Sequence, residues 1–229
     1  APLTAAPHAT AIAGIIAARG LARGIAPDAH IISARAFRAV PGGLEATSLA
    51  LLRSLEWSIV KGARVVNMSF AGPQEPLLGR AVAAATARDI ILVAAAGNGG
   101  KAAPPAYPAA YPGVIAVTAT DTEDRLYQSA NQGQYIALAA PGVDIFAPAP
   151  GKAHDVQSGT SMAAAHVSGM IALLLQDRAG LSAQAVRRAV TESAVDLGRP
   201  GIDEEFGAGR GNAVDALRLV TQMAQRPGP

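Results

Sequence analysis

The sequence contains no cysteine. That absence removes disulfides, thiol nucleophiles and thiolate-bound metals together, and it leaves the compartment open. Aromatic residues are only 4% of the 229, while 50% are hydrophobic and roughly a quarter are alanine. The core must therefore be a close packing of small and branched side chains, and an apolar half of the chain excludes intrinsic disorder. Charged residues are also sparse, at 16%, and nearly balanced: 19 basic against 17 acidic, net +2. With no basic cluster there is no electrostatic footprint for nucleic acid. Apolar runs long enough for a membrane span, about 18 residues, do not occur. Residues 1–7, APLTAAP, lack the basic start and apolar run of a signal peptide. His30, His154 and His166 stand far apart without ligand spacing, so no metal and no other cofactor is expected.

What is present is an alternation of two periods. Residues 29–37 (AHIISARAF) read as a short buried strand. Residues 44–61 set Leu44, Leu51, Leu55 and Ile59 on one helical face, and Gly62 stops that helix. Strand 63–68, helix 76–88 and strands 90–95, 113–119 and 134–139 follow. Helices near 161–178, 182–194 and 211–225 close the chain. Apolar strands separated by crossovers predict a doubly wound α/β fold, a mostly parallel sheet with helices on both faces. The Pro/Gly-rich stretches 97–113 and 141–151 read as loops and mark no boundary, so one domain over 1–229 is expected. Ligands in such sheets bind beyond the carboxyl ends of the strands, and chemistry is to be sought in the loops there.

Three segments carry chemistry. In SGTSMAAAHVSGMIALLL, 158–175, Ser161 opens a long apolar helix among unpaired backbone N–H groups, where a developing anion is stabilised. Ser161 is either an N-cap or a nucleophile. In HATAIAGIIAA, 8–18, His8 heads a helix whose Ile12, Ile15 and Ile16 face the core. It is either a cap, a satisfied core histidine or a general base, and only the fold can bring it to Ser161. In VAAAGNGG, 93–100, Asn98 either makes a turn or donates to an oxyanion. Phosphate binding by Gly97–Lys101 fits poorly: the glycine spacing is not that of a P-loop, and Ala102 stands where a magnesium-binding hydroxyl belongs.

In this order the segments resemble the subtilisin-like serine proteases, the subtilases. His8-Ala9-Thr10-Ala11-Ile12-Ala13-Gly14 is similar to the family's histidine box, and Gly24-Ile25-Ala26-Pro27 to its Gly-Val-Ala-Pro. Val66-Asn67-Met68-Ser69-Phe70-Ala71-Gly72 resembles the substrate-binding strand. Ala95-Ala96-Gly97-Asn98 resembles the oxyanion segment, Tyr107-Pro108 the Tyr-Pro loop, and Gly159-Thr160-Ser161-Met162-Ala163 the serine box.

The resemblance implies a serine endopeptidase acting on peptide or protein substrates. Ser161 would be the nucleophile, His8 its base, and Asn98 with the Ser161 N–H the oxyanion site. Ser69, Phe70, Ala71 and Gly72 would bind the substrate backbone and wall the P1 pocket. Ala95, Ala96 and Gly97 would form the second wall and Ala106 the floor, suiting an apolar or uncharged P1 side chain. A cis Tyr107-Pro108 bond and a secreted or periplasmic bacterial protein, its signal peptide outside this chain, are also implied.

The pattern breaks in one place. The family's triad runs Asp, His, Ser, yet only seven residues precede His8 and none is acidic. Asp28 comes too late, in the Ala-Pro-Asp-Ala turn. The expectation is a domain lacking the N-terminal strand that bears the aspartate, with an N-terminal segment or a second chain supplying it. The alternative is a catalytically inactive, subtilase-like peptide-binding module. Ala9, Ala11 and Ala165 replace a Gly, a His and a Pro of the family boxes. The short stretch between Gly14 and Gly24 argues against the family's tight calcium loop.

Overall fold

The computed structural model describes residues 6–41 and 43–225. Part of the leader reading, residues 1–5, lies outside them. The chain runs α1 (Pro7–Ala17), β1 (Arg38–Val40), β2 (Gly43–Glu45), α2 (Ser48–Val60), β3 (Val65–Met68), α3 (Pro76–Ala87), β4 (Ile91–Ala95), β5 (Val114–Thr120) and β6 (Ile136–Pro141). It continues through β7 (Ile145–Ala149), β8 (Ala153–Gln157), α4 (Thr160–Asp177), α5 (Ala183–Glu192) and α6 (Ala213–Gln225).

Strands β3, β4, β5 and β6 form one parallel sheet in that order. Every residue of β4 and β5 is buried, which is why β4 reads as an unbroken apolar run and β5 as one interrupted only by Thr118 and Thr120. Alternate residues face opposite layers. Ile91, Val93, Ile115 and Val117 pack under α4, α5 and α6 with Val167, Ile171, Val186 and Val220. Leu92, Ala94, Val114 and Ala116 pack against α2 and α3 with Leu55, Leu78 and Val82. The sheet is thus covered on both faces, as the α/β reading expects. Only the β3–β4 connection is a helical crossover; loops join β4 to β5 and β5 to β6, and the cover on one face comes from the distant α4–α6.

Three local expectations are corrected. Residues 29–37 form no strand. An extended apolar segment becomes a strand only with a ladder partner, and this one has none among the described residues. It lies across a cavity of about 1020 Å³ from β3, lined among others by Ile31, Phe37, Val66, Asn67 and His8. Ile31 and Ile32 are 45% and 39% exposed as a result. The helix expected over 44–61 begins at Ser48, because Thr47 caps it by accepting from Ala50 N at 3.2 Å. Leu44 belongs instead to the short β1–β2 hairpin. The stretch 141–151, read as loop, contains β7, which pairs antiparallel with β8. Pro150 and Gly151 shape the hairpin's turn, where Gly151 and Lys152 take φ of 77° and 65°.

Candidate active site

The site lies where the carboxyl ends of β3 and β4 meet the start of α4. Gly159 is the N-cap of α4, at φ 151°, so the bland reading of Ser161 as a cap is excluded. Gly159 is tied down by donating its N–H to Gly142 O at 2.7 Å, and Gly142 in turn donates to Thr120 O. Ser161 therefore stands in the first turn of an 18-residue helix with its N–H unpartnered among the described residues. That is the positive end of the helix dipole.

Ser161 Oγ donates to the carbonyl oxygen of Ser69 at 3.2 Å. Ser69 follows directly on β3, and its own hydroxyl donates back to Ser161 O at 2.9 Å. His8, in the first turn of α1, is brought to the same point: its Nε2 lies 3.1 Å from Ser69 O. Two side chains 153 positions apart in sequence thus converge on one oxygen. They do not bond each other. A carbonyl only accepts, so His8 carries its proton on Nε2 in this arrangement. Among the described residues no carboxylate lies within salt-bridge distance of His8. Asp28 pairs with Arg19 instead.

The position of His8 follows from the packing of α1. Ala11, Ile12, Ile15 and Ile16 bury against Met162, Ala165 and Ala147. The Gly24–Ala26 segment then returns across the helix end, where Ile25 N and Ala26 N donate to Ile15 O and Ile16 O. A Cβ at Gly24 would lie 2.5 Å from Ala18 N, which is why glycine stands there.

Asn98 leaves β4 and faces the same spot. Its Oδ1 accepts from Thr160 N at 3.0 Å and from Thr160 Oγ1 at 2.9 Å. The backbone donor fixes the amide orientation, which turns Nδ2 outward. A Cβ placed on Gly159 would meet that Nδ2 at 3.2 Å. Thr160 Oγ1 also accepts from Gly97 N, locking the loop to the helix start.

The residues expected around a P1 side chain also come together. Gly72 and Tyr107 exchange both backbone hydrogen bonds, at 2.8 and 3.0 Å, joining the Ser69–Gly72 run to the segment holding Ala106. A Cβ on Gly97 would touch Ala106 Cβ at 3.0 Å. Ala95, Ala96 and Ala106 are buried; Ala71 and Gly72 are exposed. Phe70 stacks obliquely on Phe37 at 5.2 Å. The Tyr107-Pro108 bond is cis, as expected.

Sequence reasoning missed two residues that hold these walls. Buried Asn131 accepts from Gly99 N at 2.7 Å and donates to Pro104 O at 3.1 Å. Tyr135 donates its hydroxyl to Ala96 O at 2.7 Å, and burial pushes the phenol up, so it stays protonated. Within SANQGQ, Asn131 looks like an ordinary turn residue, and its partners lie far upstream. The described residues include no cluster of three or more potential metal ligands, and no described helix is long and apolar enough to cross a membrane.

Residues 3–209 match the model of the subtilase family. The chain belongs to that family. It is 36% identical over 228 residues to the minor extracellular protease Epr of Bacillus subtilis, covering 95% of this chain and 34% of that protein. It is 35% identical to subtilisin DY of Bacillus licheniformis, covering 83% and 71%. The chain therefore spans about a third of Epr, and 55% of the M-protease of Shouchella clausii. Among solved structures, the prenylagaramide maturation protease PagA matches with a TM-score of 0.84 at 30% identity, over 96% of this chain and 84% of that one. A mutant of the PatA protease domain matches at 0.85 and 32%, over 95% and 81%.

Proposed function

We propose that the chain is the body of a subtilisin-type serine endopeptidase, a single domain cleaving peptide or protein substrates by acyl transfer. Ser161 Oγ attacks the scissile carbonyl and gives its proton to His8 Nε2, which passes it to the leaving amine. Water then releases the acyl group by the reverse proton path. Asn98 Nδ2 and the Ser161 N–H receive the oxyanion. The Ser69–Gly72 run, exposed at Ala71 and Gly72, pairs with the substrate backbone. Ala95–Gly97 and Ala106 leave room for an apolar or uncharged P1 side chain. The observation that carries this reading is the convergence of Ser161 Oγ and His8 Nε2 on Ser69 O.

The same observation says what the site needs. An imidazole protonated on Nε2 donates to Ser69 O and cannot serve as a base for Ser161. A carboxylate accepting from Nδ1–H would reverse the tautomer and free Nε2 to take the Ser161 proton. We infer that this carboxylate arrives on an extended segment, from an N-terminal part of the protein or a second chain, seated in the cavity beside β3. Among the described residues the outer edge of β3 is unpaired and residues 29–37 on the opposite wall have no ladder partner, which supports that placement. Epr is by name extracellular, which supports a secreted or periplasmic location here too. Without the carboxylate, the described His8–Ser69 contact favours a second reading, a subtilase-like module that binds peptide without turnover.

A fluorophosphonate probe separates the two. The proposal expects slow labelling of Ser161 in the chain alone and much faster labelling once an aspartate-bearing segment is supplied. In subtilisin, loss of the triad aspartate alone lowers kcat by about 3 × 10⁴. No labelling in either case, with peptide binding indifferent to Ser161→Ala, assigns the chain to the non-catalytic reading.

A further inference from the structure

Behind Ser161 runs a chain of side-chain hydrogen bonds that acyl transfer itself leaves without a role. Ser168 lies two turns further along α4 and is 3% exposed. Its Oγ is 3.0 Å from Asn67 Oδ1, across the interface on β3. Asn67 Nδ2 donates to Ser69 Oγ at 2.9 Å. Ser69 Oγ donates in turn to Ser161 O at 2.9 Å.

The donor accounting gives the chain one direction. A hydroxyl has a single proton. Ser69 spends its proton on Ser161 O, so Ser69 Oγ must act as acceptor toward Asn67, which turns the amide NH₂ group that way. The amide oxygen then faces Ser168, whose single proton is shared between Asn67 Oδ1 and Ala164 O. Burial alone does not require this arrangement, because Ser168 Oγ also has Ala164 O at 2.9 Å within its own helix. The bond to Asn67 is the one that leaves the helix.

We propose that Asn67 and Ser168 are positioning residues for the nucleophile. They orient Ser69 so that its hydroxyl fixes the backbone of Ser161 while its carbonyl receives Ser161 Oγ and His8 Nε2. Neither residue touches substrate or the reacting atoms. The kinetic part of this proposal rests on Ser161 being the nucleophile; the structural part does not.

Asn67→Asp tests it with almost no change of shape. A carboxylate accepts from Ser168 and from Ser69 but donates nothing, so the Ser69 proton turns away from Ser161 O. Fluorophosphonate labelling, resolved into the maximal inactivation rate and the half-saturating probe concentration, is read beside the ¹³C NMR shift of the Ser161 carbonyl. The proposal expects the maximal rate to fall about tenfold, as a slightly misplaced nucleophile requires, with half-saturation and Tm near wild type. It also expects the Ser161 carbonyl resonance to move. Ser168→Ala should move both in the same direction by less, and it serves where Asn67→Asp does not fold. An unmoved Ser161 carbonyl overturns the proposal, and so does a rate that falls only in step with Tm. A wild-type chain that fails to label removes the nucleophile reading alone, and the carbonyl shift then still decides.

Discussion

Ser69 and Ser161 hold each other by reciprocal hydrogen bonds, each hydroxyl donating to the other's backbone carbonyl, at 2.9 and 3.2 Å. Ser161 is therefore held at both its side chain and its main chain by one residue at the end of β3. Removing the Ser161 hydroxyl does not orphan Ser69 O, since His8 Nε2 still reaches it. Ser161→Ala should thus abolish fluorophosphonate labelling while changing the unfolding free energy in urea by less than about 1 kcal/mol.

Asn98 Oδ1 holds Thr160, Asn98 Nδ2 is the proposed oxyanion donor, and one substitution separates the two. Asn98→Asp keeps an oxygen for Thr160 N and Thr160 Oγ1 but loses the outward Nδ2. For the chain with its aspartate segment restored, kcat on a chromogenic peptide should fall by at least about 10², with little change in Tm. Asn98→Ala should lose both, lowering kcat and Tm together.

Asn131 fastens the loop behind the proposed P1 walls. Asn131→Ala removes the partners of Gly99 N and Pro104 O, and a gap the size of the lost amide group opens beside Gly97. The expected cost is about 1–3 kcal/mol by urea unfolding, and KM for a peptide substrate should rise more than kcat falls.

His166 should make the fold acid-sensitive. Burial holds its imidazole below the ordinary value, only partly offset by the hydrogen bond of Nδ1 to Met162 O. The unfolded chain then takes up the proton first as pH falls. Stability is full above about pH 6.5, the unfolded value, and is lost progressively as pH drops through the folded value. Thermal melts of wild type and His166→Gln between pH 8 and pH 5 should show a shallower acid decline in the variant.

Much of the fold is legible because burial imposes period on composition. Strands β3 to β6 and helices α3 to α6 appear within a few residues of where apolar spacing puts them. Residues 29–37 fail because strand formation is settled by a partner, which no local pattern records. The β7–β8 hairpin was hidden by Pro148, Pro150 and Gly151, which look like a loop but build its end. In the site, His8, Asn98 and Ser161 stand out because their neighbours form ordered motifs. Asn131 and Tyr135 lie outside those motifs, and Asn67 and Ser168, though inside quoted segments, give no local sign of side-chain bonds that reach groups 2 and 101 positions away. Only the folded chain brings those groups together.

Peptide-level mass spectrometry after fluorophosphonate treatment tests the central claim most directly. A single adduct is expected, on Ser161, lost in Ser161→Ala and strongly slowed in His8→Ala. An adduct on another serine, or one on Ser161 that forms equally fast without His8, would contradict it.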